Sequence, residues 1–70
     1  MEILAKRLVA LRTAKKVSRK EVAISTGISE RTYQRYENME RDPDAPVLKR
    51  LADYYGVSAD YLLGRKDIPN

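Results

Sequence analysis

The side chains best suited to chemistry form a polar group between positions 30 and 35. Arg31 carries a planar guanidinium fork that matches the O6 and N7 acceptors of guanine, and Gln34 has an amide that can pair with adenine in the same bidentate way. Glu30 can accept a hydrogen bond from cytosine N4, and Thr32 can contact a thymine methyl group or a phosphate. These four side chains are our candidates for reading base edges.

Each candidate also has a simpler explanation. A carboxylate at a first helical position, such as Glu30, stabilises the helix dipole without touching a ligand. Arg31 can bind a phosphate instead of a base, and Thr32 can simply face solvent. Arg35 lies one turn beyond Arg31, and we expect it to contact phosphate in preference to a base edge. Arg31 remains the strongest candidate for base contact.

Further polar groups lie where two short helices are expected to begin and end. Ser18, Arg19 and Lys20 open the earlier helix, and helix N-termini attract phosphate groups. Asn38 and Arg41 follow the later helix, where they can hold the next phosphate along the backbone. The predicted phosphate contacts are Ser18, Arg19, Lys20, Arg35, Asn38 and Arg41.

Composition restricts the class of protein. The 70 residues carry a net charge of +4, and residues 1–41 hold ten basic against five acidic side chains. A basic half of this kind suits a polyanionic partner, although a solvated lysine-rich surface explains it equally well. The chain has neither cysteine nor histidine, which disfavours metal sites and triad catalysis. It also lacks an apolar run of the roughly 20 residues that a membrane span needs. We therefore predict no metal, no cofactor and no membrane association.

Local signals predict five helices and no strand. The first helix covers about residues 2–15, where leucines recur at helical spacing. The second ends near Thr26 and the third covers about residues 30–38, each opened by a serine cap. The fourth begins after Asp44 and ends at Gly56, and the fifth lies between Ser58 and Gly64. Ser18 and Glu21 form a capping-box pattern at the start of the second helix.

The second and third helices have apolar residues only where two crossed helices would touch. Their inner faces carry Val22, Ala23, Ile28, Tyr33 and Tyr36. The glycine at position 27 lies where the chain must reverse direction. The polar candidates on the third helix are then left on the outside. This arrangement is typical of a helix-turn-helix that places its second helix in the major groove of DNA.

The chain as a whole resembles the lambda-repressor-like, or XRE, helix-turn-helix family, which includes phage repressors and Cro. The resemblance extends from about Ala5 to Gly64. It rests on four blocks in family order, which are LVALR at 8–12, SRKEVA at 18–23, GIS at 27–29 with RYEN at 35–38, and LADYYGVS at 51–58 with DYLLG at 60–64.

The resemblance implies an all-α, compact five-helix domain at residues 1–64, followed by a short and frayed tail at residues 65–70. It implies that Arg12 forms an ion pair with a buried Glu37, although two ordinary surface charges would fit the sequence as well. It also implies dimers that bind palindromic operators. The candidate dimer contacts are Tyr61, Leu62 and Leu63, and the alternative is that the leucines close the core of the monomer.

Three positions depart from the family pattern. Arg19 stands where glutamine is common, so a phosphate contact would become charged. Tyr33 replaces an aliphatic core residue, and its hydroxyl needs a partner or an exit to solvent. Met39 stands where glycine usually follows the Glu-Asn pair, so either Asn38 is left-handed or the third helix runs longer.

Two functions compete. The first is a sequence-specific regulator of transcription that binds double-stranded DNA as a homodimer, most readily a repressor, in the cytoplasm of a bacterium or encoded by a phage. The second is a helix-turn-helix that binds a protein, such as a toxin or a co-regulator. The basic face and the polar residues of the third helix favour DNA. We find no support for an enzyme, because the acidic residues occupy short helices or a loop without a plausible cleft.

Overall fold

Five α-helices account for the architecture, and the computed structural model describes all 70 residues. The helices are α1 (Glu2–Lys15), α2 (Arg19–Thr26), α3 (Glu30–Glu37), α4 (Ala45–Tyr55) and α5 (Ala59–Leu62). The chain forms no strand. The all-helical architecture predicted from the sequence is therefore confirmed. No helix has the length and apolar character that crossing a membrane requires.

Four of the five helices begin with a side chain that accepts a backbone hydrogen bond. In each case the acceptor binds the N–H three residues further on, at 3.0–3.1 Å, and the four caps are Ser18, Ser29, Asp44 and Ser58. The capping box predicted at α2 forms only in half. Ser18 accepts from the Glu21 N–H, but the Glu21 carboxylate makes no bond back to the Ser18 amide. The serine cap therefore defines the start of α2 without the acid.

The end of α3 differs from both alternatives that the sequence offered. The helix stops at Glu37, and Asn38 keeps an ordinary φ of −91°. Met39 takes the left-handed conformation instead, with φ of 63°. This residue turns the chain so that the Glu40 N–H reaches the Arg35 carbonyl at 2.9 Å. The left-handed step thus stays at the family's glycine position although a methionine occupies it.

The core lies between the helices and contains nine buried apolar residues. They are Leu4, Leu8, Val22, Ile28, Tyr33, Tyr36, Leu51, Ala52 and Leu62. The predicted inner face of α2 and α3 is confirmed, because all five of its residues are buried. All five helices, and Ile28 in the turn between α2 and α3, thus contribute to one apolar cluster, as a chain of this size requires.

Tyr33 is fully buried, and its hydroxyl has found a partner inside the protein. The Tyr33 and Tyr55 hydroxyl oxygens lie 2.6 Å apart, which links α3 to α4. Burial raises the pKa of Tyr33 far above its ordinary value and raises the pKa of Tyr55 to about 12. Both phenols therefore remain neutral at physiological pH.

The carboxy-terminal segment, predicted to fray, instead folds back on the body. The Arg7 guanidinium donates to the Tyr61 carbonyl and, at 2.7 Å, to the Lys66 carbonyl. It also lies over the Tyr61 ring at 4.0 Å. The Ser58 N–H donates to the Pro69 carbonyl at 2.7 Å. The segment is therefore held at two points, one from α1 and one from the start of α5.

Of the predicted dimer contacts, Leu62 has no surface to offer. Its side chain is fully buried and belongs to the core, so including it among the dimer contacts was wrong. The alternative for this leucine, closure of the monomer core, is correct. Tyr61 and Leu63 are half-buried and keep some exposed surface.

We predict that Met39→Gly stabilises the protein by about 1 kcal/mol, because glycine adopts a left-handed φ without a Cβ clash, even after its larger unfolded-state entropy is subtracted. The Met39 side chain is 59% exposed, so little packing is lost. Urea denaturation measures the change. Asn38→Gly is the matched control at an ordinary φ and should not stabilise. Equal effects of the two substitutions would contradict the explanation.

Candidate nucleic-acid interface

The outward face of α3 carries the predicted base-reading residues. Glu30, Arg31 and Gln34 are exposed, whereas Thr32 and Arg35 are half-buried. The hydroxyl of Thr32 accepts a hydrogen bond from the Ser29 side chain at 2.8 Å, so it is partly engaged in the start of the helix. Arg31 and Gln34 make no side-chain hydrogen bond or ion pair within the protein, which leaves their donors available to a ligand.

Four of the predicted contact residues surround one shallow depression of about 250 Å³. It is lined by Arg31, Gln34, Arg35, Asn38 and Glu40, with no apolar side chain. The structure therefore brings two predicted base readers and two predicted phosphate contacts together. Glu30 and Thr32 lie outside the depression at the start of α3, and Arg41 is exposed beyond it.

Sequence reasoning missed Glu40 as a member of this surface. Its carboxylate accepts from the Asn38 amide at 3.4 Å and lies 3.9 Å from the Arg35 Nε. It is placed there by the left-handed Met39, which turns the chain back towards α3. The family's glycine position at residue 39 was the one signal for such a turn. An acidic group thus faces two of the predicted phosphate contacts.

The start of α2 presents the second set of predicted contacts. Lys20 is exposed and makes no ion pair, while the Ser18 hydroxyl already accepts the Glu21 N–H. Arg19 differs from these two, because its Nε donates to the Glu37 carboxylate at 3.0 Å. One predicted phosphate contact is therefore also part of an internal ion pair.

Glu37 joins three elements through its buried carboxylate. Its side chain is fully buried, and Oε2 accepts from Arg12 Nε at 2.8 Å while Oε1 accepts from Arg12 Nη2 at 3.3 Å. Arg19 adds its Nε to Oε1. Arg12 also donates to the Val17 carbonyl at 3.2 Å. The ion pair implied by the family resemblance is present, and Arg19 extends it to a three-membered cluster.

The electrostatics of this cluster favour the ionised carboxylate. Burial by itself raises the pKa of Glu37, but the hydrogen bonds from Arg12 and Arg19, together with the nearby Tyr33 hydroxyl, outweigh that effect, so its pKa lies below the ordinary value. The hydrogen bond to Glu37 likewise raises the pKa of Arg12 despite its partial burial. The three charges are therefore present together, with one net positive charge.

Comparisons with known proteins point to one family. The sequence profile of the family described as Helix-turn-helix matches residues 8–62. The chain is 38% identical over 65 residues to the HTH-type transcriptional regulator ImmR of Bacillus subtilis strain 168, covering 93% of this chain and 51% of ImmR.

Other relatives come from the same organism. The chain is 40% identical over 60 residues to the HTH-type transcriptional regulator AnsR, covering 86% of this chain and 52% of AnsR. It is 39% identical over 57 residues to the SPbeta prophage-derived HTH-type transcriptional regulator YonR, covering 81% of this chain and 53% of YonR. The chain thus spans about half the length of these relatives. No solved structure matches the chain significantly.

We predict that Glu37→Gln flattens the acid side of the stability profile. Because the pKa of Glu37 is lowered in the folded protein, its ion pairs contribute free energy of unfolding that is fully present above the ordinary pKa of 4.5 and is lost as the pH falls through the folded pKa. The substitution should cost about 3 kcal/mol at neutral pH, and less as the solution is acidified.

Urea denaturation of both proteins from neutral to acidic pH measures this difference. Glu21→Gln is the control, because the Glu21 side chain is exposed and makes no ion pair. A Glu37→Gln cost that stays constant down to the most acidic condition would show that the charge of Glu37 does not contribute to stability.

Proposed function

The chain belongs to the helix-turn-helix family, and from that we propose that it binds double-stranded DNA and regulates transcription, most readily as a repressor. The observation that carries the proposal is the outward face of α3, where Arg31 and Gln34 are exposed and free of internal partners. The chain spans about half the length of these relatives, whose names describe the whole proteins. The proposal therefore concerns DNA binding by these 70 residues and the regulation that this binding would bring about.

In the proposed complex, α3 lies in the major groove. Arg31 binds guanine through its guanidinium fork, and Gln34 binds a neighbouring adenine. Glu30 and Thr32, at the start of α3, read the adjoining base pairs. The exposure of Arg31, Gln34 and Glu30 supports this assignment.

The DNA backbone is held on both sides of α3. Lys20 and the backbone N–H groups at the start of α2 contact one phosphate, together with Ser18 and Arg19. Arg35, Asn38 and Arg41 contact the next. The Glu40 carboxylate lies beside Arg35 and Asn38 and repels a phosphate at this second position. We therefore expect the start of α2 to supply most of the non-specific affinity for DNA.

We further propose that two copies of the chain bind a palindromic site as a dimer. Tyr61 and Leu63 form the contact between the copies, and the two recognition helices lie about 34 Å apart. Tyr61 and Leu63 support this because they remain half-buried at the surface of the monomer. The chain acts by binding and not by catalysis in this proposal. A cytoplasmic setting in a bacterium or a phage-infected cell fits a relative described as prophage-derived.

Selection from a pool of random duplex DNA tests the proposal, followed by affinity measurements over a range of salt concentrations. Arg31→Ala should cost about 1–3 kcal/mol on the selected duplex and relax preference at one base pair. Lys20→Ala should weaken all duplexes alike and lower the log–log salt slope by about 0.9.

Arg50→Ala is the control, because Arg50 is exposed on α4 outside both proposed contact sets. Equal and sequence-independent losses from Arg31→Ala and Lys20→Ala would contradict base reading by Arg31. If the wild-type chain selects and binds no duplex, DNA binding itself is wrong, and a helix-turn-helix that binds a protein partner becomes the better interpretation.

A further inference from the structure

Glu37 is shared between two arginines that come from different elements. Arg12 lies on α1, Arg19 is the first residue of α2, and Glu37 is the last residue of α3. Arg12 uses two nitrogens on the carboxylate, at 2.8 and 3.3 Å, whereas Arg19 uses only its Nε, at 3.0 Å. Arg12 therefore binds the carboxylate through two hydrogen bonds and Arg19 through one. All three guanidinium nitrogens of Arg12 have partners inside the protein, whereas only the Nε of Arg19 has one.

The other edge of the Arg19 guanidinium is open. Its two terminal nitrogens have no partner within the protein, since its only side-chain hydrogen bond is made by Nε. No side-chain nitrogen or oxygen of the protein is both buried and unpartnered. The terminal nitrogens of Arg19 must therefore reach solvent, which agrees with a side chain that is 40% exposed.

We infer that Glu37 positions Arg19 as a two-pronged phosphate clamp, with Nε fixed by the carboxylate and both terminal nitrogens presented to one DNA phosphate. This inference rests on the proposed function. A guanidinium suits the task because its donors form a rigid, planar fork that binds an oxyanion bidentately while another edge is occupied. A lysine has a single nitrogen on a flexible stem, and so it has no fixed second edge.

The charges of the cluster permit such a clamp. One carboxylate faces two guanidinium groups, so a positive charge remains uncompensated next to the start of α2. The N-terminal end of that helix adds exposed backbone N–H groups with a favourable dipole. A phosphate placed there meets attraction from both sources, and the carboxylate itself is shielded because its side chain is fully buried.

The clamp also has a geometric consequence. Glu37 lies on the helix that carries Arg31 and Gln34, so a single side chain links the phosphate contact of α2 to the base-reading helix. The position of α3 in the groove is then set relative to a fixed point on the DNA backbone. Glu37 acts here as a positioning residue, since it does not touch DNA.

The first experiment uses the free protein and needs no DNA. Exchange of the arginine Nε–H protons with water is measured by ¹⁵N NMR. The Arg19 Nε–H should exchange at least about tenfold more slowly than that of Arg31, the factor expected from a charge-assisted hydrogen bond. Arg31 is the internal reference because it is exposed and unpaired. In Glu37→Gln, checked for folding by circular dichroism, the Arg19 rate should approach that of Arg31.

The second experiment measures binding to the selected duplex and to unrelated duplexes. Arg19→Lys keeps the charge but loses the fork, so it should weaken binding to every duplex by about tenfold, close to the loss in Arg19→Ala, which removes both the charge and the fork. Arg50→Lys, the same exchange at an exposed position on α4, should leave the affinity unchanged. Arg19→Lys loses the Nε bond to Glu37 but leaves the two-nitrogen contact of Arg12 with that carboxylate in place, so this arm stands even if Glu37→Gln fails to fold.

The outcomes separate the clamp from the proposed function. Rapid exchange of the Arg19 Nε–H in the wild-type protein overturns positioning by Glu37. Wild-type affinity of Arg19→Lys, with DNA binding intact, overturns the clamp and leaves the proposed function standing. Absence of any duplex binding by the wild-type chain overturns the proposed function and the phosphate ligand together, and the exchange measurement then still decides whether Glu37 holds Arg19.

Discussion

The buried carboxylate of Glu37 is the constraint on which the rest of the structure depends. A charge with a fully buried side chain is tolerated only when it is paired and hydrogen-bonded. Arg12 on α1 and Arg19 on α2 supply those bonds, so both helices must lie close to the end of α3. The chain therefore has to place three helices around one point, and apolar packing alone would not specify that point so narrowly.

The polar outer face of α3 follows from this arrangement. Tyr33 and Tyr36 hold the helix in the core, and Glu37 secures its last turn, so no apolar group is needed on the outside. The hydrogen bond between Tyr33 and Tyr55 adds a link to α4. A helix of eight residues can thus keep a polar exposed face, although so short a helix would be unstable on its own.

Charge is unevenly distributed around α3, because two acidic residues, Glu37 and Glu40, lie at or just after its end. Glu37 is hidden and leaves Arg19 with an open edge, whereas Glu40 is exposed and faces Arg35 and Asn38. The two sides of α3 therefore offer a phosphate different environments. A net charge of +4 describes neither side, because the local arrangement decides where a polyanion is attracted.

The sequence by itself determined the helices, their serine and aspartate caps, and the inner face of α2 and α3, because these features depend on neighbours within a few residues. It also placed Arg31 and Gln34 on the outside, since helical periodicity fixes which side of a helix faces the core. Only the tertiary structure decided that Met39 turns left-handed, that Glu40 joins the interface, that Leu62 is buried and that the tail folds back on Arg7. It also gave Glu37 a second partner in Arg19, 18 residues away in the chain. The turn at Met39 and the placement of Glu40 are local, and their one sequence signal was the family's glycine position, which a methionine occupies here. The contacts of Arg7, Arg19 and Leu62 join residues far apart in sequence, so they depend on how the helices pack and no local pattern encodes them.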